Sequence, residues 1–178
     1  ITSHPGPFNV LTSPHEHVVE NCIKDLSTHG EVFDLMNLSR TPYNKINIHI
    51  GGAYGDKVSS MERFCTNFHR LPNSVKLRLT VENDDKASMY SVVDLYEGVY
   101  KVIGIPIVFD YHHHRFCTGG LTEEDALEVA ISTWVDIVPV VHYSESRNIE
   151  QEDDKIRPQA HSDYVLDYID TYGNRVDI

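Results

Sequence analysis

Short apolar runs alternate along this chain with stretches of helical spacing. Ile, Leu and Val cluster at Lys45–Ile50, Leu77–Val81, Pro106–Phe109 and Val138–Val141, with a weaker run at Ile1–Ser3. Between them, Val18–Leu38, Ser59–Leu71, Ser91–Ile103 and Glu123–Thr133 place apolar residues three and four apart, the period of a helix with one buried face. Strand followed by helix, repeated, predicts an α/β fold of parallel strands joined by crossover helices. The units share no sequence motif, so the repeat is architectural rather than a solenoid. The loops after the strands carry the punctuation: Pro5-Gly6-Pro7, Gly51-Gly52, Asn83-Asp84-Asp85 and Gly119-Gly120.

Five strands, with a sixth unit expected after His161, fall short of the eight that close a (β/α)8 barrel over about 250 residues. The chain also opens at Ile1, without a Met, in what reads as a strand. The count fits either an open sheet or a single barrel domain over 1–178 that lacks segments at both ends. In both architectures, sites form at the C-terminal ends of the strands.

The strand ends share one kind of chemistry. The first closes on Thr2-Ser3-His4, the second on Asn47-Ile48-His49 and the third on Thr80-Val81-Glu82. The fourth closes on Val108-Phe109-Asp110, followed by Tyr111 and His112-His113-His114, and the fifth on Val140-Val141-His142. Asp and Glu number 27 and His 11 among 178 residues, so five ends of five in these types is improbable by chance. Parallel strands bring their ends to one rim. Imidazoles and carboxylates without thiolates suit Zn²⁺, Mn²⁺ or Fe²⁺ over a structural zinc, and a cluster of such ions activates water and neutralises phosphate charge.

The remaining histidines read more plainly. If the His112–His114 run is extended, neighbours face opposite ways, leaving one ligand and two hydrogen-bonded or exposed rings. His15 and His17 flank a helix start after Ser13-Pro14. His29 and His69 are expected on helix surfaces. His161 opens the last expected helical stretch and gives no strong sign of function by itself.

Composition narrows the picture without deciding it. Apolar residues at 40% and charged residues at 24% are ordinary for a globular domain. No apolar run approaches the roughly 20 residues of a membrane helix, and no secretory leader pattern opens the chain. Cys22, Cys65 and Cys117 are far apart and lack a CxxC pairing, so buried free thiols in an intracellular, reducing compartment (cytoplasm or nucleus) are expected. The net charge of −12 counts against a nucleic-acid partner. Much of the acid is local, however, in Thr122–Glu128, Glu150–Asp154 and Asp163–Asp177, and cations in an acidic cleft offset charge at the site itself.

Six segments, in order, resemble the UV-damage endonucleases: His4-Pro5-Gly6-Pro7-Phe8, Ile48-His49-Ile50-Gly51-Gly52, Val81-Glu82-Asn83-Asp84-Asp85, Val108-Phe109-Asp110-Tyr111-His112-His113-His114, His142-Tyr143-Ser144 and Ala160-His161-Ser162-Asp163-Tyr164. The resemblance spans essentially the whole chain. It implies part of a TIM barrel of the endonuclease IV and xylose isomerase-like superfamily, with about five to six βα units present. It also implies ATP-independent cleavage of the phosphodiester 5′ to a UV photoproduct or abasic site in double-stranded DNA, by a monomer carrying a divalent metal cluster, typically with manganese. By motif, His4, His49, Glu82, Asp110, His113 and His142 would be the catalytic metal ligands, and His161 would join them.

The chain departs from the family pattern in places. Val140 stands where the family usually carries a lysine, two residues before the fifth-strand histidine. Pro7 replaces a glutamine beside the aromatic Phe8. The family also continues at both ends. Phe8 and Tyr54 are the expected contacts to a distorted base step. Lys57, Lys86, Arg115 and Arg147, all expected in loops just after strand ends, are the candidates for flanking phosphates. Two other readings are a metal-dependent sugar isomerase of the same superfamily and a damage-binding protein without catalysis.

Overall fold

Five parallel strands pair in chain order in the computed structural model, which describes residues 1–178. They are β1 (Thr2–Ser3), β2 (Lys45–Ile48), β3 (Leu79–Glu82), β4 (Ile107–Asp110) and β5 (Val141–His142). The register sets Ser3 beside Ile46, Asn47 beside Thr80, Glu82 beside Val108 and Asp110 beside His142. Sequential parallel order with helices between the strands is the plan of a partial TIM barrel. Asp177 forms an isolated parallel bridge with Val140, donating to Pro139 O at 2.8 Å and accepting from Val141 N–H at 2.9 Å.

Each strand sorts its side chains by the two-residue period. Ile46, Ile48, Leu79, Val81, Ile107, Phe109 and Val141 all belong to one apolar core with the helices. The alternate positions Lys45, Asn47, Thr80, Glu82, Asp110 and His142 share the opposite, interior face, and the Thr80 hydroxyl donates to Asn47 Oδ1 across it at 2.8 Å. Val108 apart, that face is polar, and its polarity culminates at the C-terminal rim.

The helices close the outer side. Helix α1 (Glu16–Leu35) buries Val19, Cys22, Leu26, Gly30 and Phe33 at three- and four-residue spacing. It ends in a Schellman motif, with Asn37 left-handed at φ 56° and Leu38 N–H donating to Phe33 O at 3.0 Å. Helix α2 (Lys57–Phe68) is capped by Asp56, whose carboxylate accepts from Val58 and Ser59 N–H. Then follow α3 (Asn73–Lys76), α4 (Val92–Leu95), a π-helical stretch Tyr96–Tyr100, α5 (Lys101–Ile103), α6 (Tyr111–His114), α7 (Glu123–Ile131) and α8 (Arg147–Glu150). No helix is long and apolar enough to cross a membrane.

Several expectations need correction. Leu77 caps α3 and is half exposed, so β3 starts at Leu79. The helix expected over Ser91–Ile103 contains the π-helical stretch. His161 opens no helix. Its segment folds back as an antiparallel bridge to Ser146, fixed by Arg147 N–H to Ala160 O and Ser162 N–H to Glu145 O, both 2.8 Å. The His112–His114 run is helical rather than extended, and all three residues are buried. His69 is exposed as expected, whereas His29 is half-buried with Nδ1 2.8 Å from Ser3 Oγ.

A candidate metal centre at the strand ends

One open cleft of about 430 Å³ is lined by His4, His49, Glu82, Asp110, His113, His142 and His161, together with Tyr143 and Ser144. The strands deliver these groups directly. His4 and His49 follow β1 and β2 by one residue, and Glu82, Asp110 and His142 are the last residues of β3, β4 and β5. Asp110 also caps α6 by accepting from His113 N–H at 2.8 Å, a bond that sets the histidine three residues from the carboxylate on the same rim. His161 arrives from the fold-back of the β5 loop. Gly51 must be glycine for the β2 loop to leave this rim: its φ is +109°, and a Cβ there would lie 2.3 Å from Val10 Cγ1.

Glu82 is the hub. It is 2% exposed, with Oε2 3.0 Å from His142 Nδ1 and 3.3 Å from His4 Nε2. Oε1 faces His49 Nε2 at 3.9 Å and His113 Nδ1 at 3.5 Å. Asn47, buried in β2, donates its amide to Oε2. Donor atoms of His4, His49 and Glu82, and of Glu82, Asp110 and His113, lie close enough to share a cation. The backs of the rings are held as well. His113 Nδ1–H donates to Asn83 O at 2.9 Å, leaving Nε2 directed at His161 Nε2, 3.1 Å away. Ser144 Oγ is 2.7 Å from His161 Nδ1. Imidazoles and carboxylates without a thiolate are the donor set of a borderline divalent ion, and the buried partners behind them fix ring orientation.

Electrostatics follow from this packing. Burial opposes a charge on Glu82, but hydrogen bonds from His142 and His4 outweigh it and hold the carboxyl well below its usual range. Hydrogen bonding to Glu82 raises His4. Burial pulls His142 down, and the same carboxylate more than offsets it. Burial lowers His49 and His161, pushes Asp110 up to about 6 and pushes Asp84 up to about 7.

The family profile described as UV-endonuclease UvdE matches residues 1–178. The chain belongs to the UvdE family. It is similar to the UV DNA damage endonuclease of Bacillus cereus (strain Q1), 38% identical over 174 residues that make up 95% of this chain and 51% of that protein. It is similar also to that of Bacillus pumilus (strain SAFR-032), 39% identical over 151 residues, 83% of this chain and 46% of the relative. The crystal structure of SacUVDE superposes with a TM-score of 0.82 at 34% identity, covering 93% of this chain and 53% of SacUVDE. D-psicose 3-epimerase from Clostridium cellulolyticum H10 matches with a TM-score of 0.60 at 13% identity, over 81% of this chain and 51% of the epimerase. That second likeness shows the fold alone. The chain spans about half the length of the curated relatives it matches.

The other candidate residues of this UvdE-family chain scatter around the rim. Phe8 is 87% exposed in the β1 loop. Tyr54 lies in the β2 loop at φ 47°, with the Arg63 guanidinium 5.8 Å from its ring centre. Lys86 lines an adjoining cavity of about 540 Å³ that shares His4 and His49 with the cleft. Arg115 is exposed at the end of α6. Lys57 and Arg147 are not in loops. They open α2 and α8, paired with Asp94 at 3.1 Å and Asp163 at 3.0 Å. Sequence reasoning assigned no role to Asn47, Asn83 or Ser144, the partners that hold the rim. The only signal was position: Asn47 shares the interior face with His49, and Asn83 follows Glu82. Val140 lies on the interior face two residues below His142, bridged to Asp177, and offers no ligand atom.

Proposed function

We propose that the whole protein is a metal-dependent DNA repair endonuclease that nicks double-stranded DNA 5′ to UV photoproducts or abasic sites. The observation that carries this reading is the UvdE profile over all 178 residues, combined with seven His, Glu and Asp side chains lining one cleft. His4, His49, Glu82, Asp110, His113, His142 and His161 would hold the divalent cations, with manganese the first candidate. Bound there, such cations supply Lewis-acid activation of water and neutralise charge on the scissile phosphate. Glu82, with imidazoles facing both oxygens, would be the central carboxylate of this ligand set. Phe8 and Tyr54 would stack against the distorted base step. Lys86 and Arg115, which have no ion-pair partner, are better placed than Lys57 and Arg147 to hold flanking phosphates. Free, buried Cys22, Cys65 and Cys117 support a reducing, intracellular setting, and a monomer acting alone fits the one-cleft arrangement.

The epimerase likeness explains why the fold alone leaves a sugar isomerase open, and Val140 and Pro7 are the features that favour binding without catalysis. A duplex carrying one defined photoproduct, incubated with manganese and the full-length protein, separates the three. The proposal expects one new end, mapped immediately 5′ to the lesion. Tight binding with no cut would support the binding-only reading, and turnover of a ketose with no cut would support the isomerase.

A further inference from the structure

We infer that Asp84 is a positioning residue that holds the His49 imidazole with Nε2 turned to the centre of the rim. The inference rests on the metal-centre reading above. The His49 ring spans two carboxylates, with Nδ1 3.4 Å from Asp84 Oδ1 and Nε2 3.9 Å from Glu82 Oε1. Nδ1 is buried and makes no hydrogen bond. A small rotation of the ring brings its N–H onto Asp84, which would fix the tautomer that leaves Nε2 unprotonated for a cation. The other rim rings already have a neighbour at Nδ1: Pro5 O lies beside that of His4, Asn83 O beside that of His113, Ser144 Oγ beside that of His161 and Glu82 Oε2 beside that of His142. His49 is the rim ring with a carboxylate at each nitrogen, Asp84 at Nδ1 and Glu82 at Nε2.

Asp84 is itself built in. Its residue is 8% exposed. Its N–H donates to Tyr90 O at 2.9 Å, and its Oδ2 accepts from Tyr90 N–H at 3.3 Å. The Tyr90 phenol then donates to Gly52 O at 3.2 Å, tying this loop to the one that follows His49. Just before it, the Asn83 side chain exchanges two hydrogen bonds with the Asp110 backbone, at 3.0 and 2.9 Å. A loop clamped at both ends in this way serves to aim a side chain, whereas solvation of a surface acid needs no clamp.

The test is manganese affinity of the full-length protein, read from the electron paramagnetic resonance of the free ion, with folding checked by near-UV circular dichroism in chelator. Asp84→Ala should weaken binding roughly 10- to 100-fold, and Asp84→Asn, whose amide oxygen still accepts the N–H, should recover most of it. In a His49→Ala background, Asp84→Ala should cause no further loss. If Asp84→Ala does not fold, Asp84→Ser carries the same comparison. Unchanged affinity in a folded variant, or an equal loss with and without His49, overturns the inference and leaves the metal centre standing. A wild-type protein that binds no manganese overturns both.

Discussion

Replacing Arg78 with Met removes a fully buried guanidinium while keeping a long, flexible side chain in its place. Arg78 precedes β3 and reaches under the end of α1. It donates to Asp34 Oδ1 at 2.8 Å and to Gly30, Ser74, Leu38 and Ser39 carbonyls. Not all of these suffer equally when it is lost. Asp34 keeps Arg40 at 2.7 Å, and Ser39 O keeps the Asn44 amide at 3.2 Å. Leu38 O and Ser74 O have no second partner. Two orphaned carbonyls, one buried and one partly buried, at about 1–3 kcal/mol each, with the loss of a charged donor set, imply a cost of about 3–5 kcal/mol. That is a large part of the ~5–15 kcal/mol by which domains are stable. Urea unfolding followed by fluorescence of Trp134, the sole tryptophan, measures it directly. A loss below about 1 kcal/mol at an unchanged denaturant slope would refute the reasoning.

Three further outcomes are expected. Glu82→Gln, isosteric but unable to bridge cations as a carboxylate, should lower manganese affinity on the order of 100-fold or more; calorimetric titration of the folded variant checks it. Burial pushes His112 down to about 4 from 6.5, so the unfolded chain takes up its proton first as pH falls. Wild type should therefore lose about 2 kcal/mol relative to His112→Phe between pH 7 and pH 5, and urea midpoints at the two pH values that move in parallel would count against it. Lys86→Ala and Arg115→Ala should each weaken damaged-duplex binding and reduce the slope of log affinity against log salt by about 1. Lys57→Ala, already paired with Asp94, should change the slope less, and equal slopes in all three would contradict the assignment.

The strand ends were legible in the sequence because a parallel βα unit carries two periods that cannot be confused over four or five repeats. The core face of β2 to β5 is apolar, and every strand ends on a metal-ligating type or is followed directly by one. What escaped was local hydrogen bonding. No periodicity shows that Asp110 caps a short helix, so the His112–His114 run was read as extended and its burial misjudged. His161 reaches the cleft through an antiparallel fold-back with Ser146, a contact between loops that leaves no mark in hydrophobic pattern. Asn47 and Asn83 look like ordinary strand and turn residues until their partners, Glu82 and His113, are placed in space. Lys57 falls outside the expected Ser59–Leu71 helix because helix starts shift by a residue or two with capping, whereas the four-residue helix Arg147–Glu150 is too short to leave a periodic signal. The ion pairs with Asp94 and Asp163 depend on tertiary packing.

The most direct test of the endonuclease reading is nicking of supercoiled plasmid by the full-length protein, with and without ultraviolet irradiation, in manganese and in chelator. The proposal expects relaxed circles only from irradiated plasmid, only with manganese, and none from Glu82→Gln. Nicking that persists in chelator would contradict a metal-dependent cleft, and a folded, manganese-loaded protein that leaves irradiated plasmid intact would contradict the endonuclease itself.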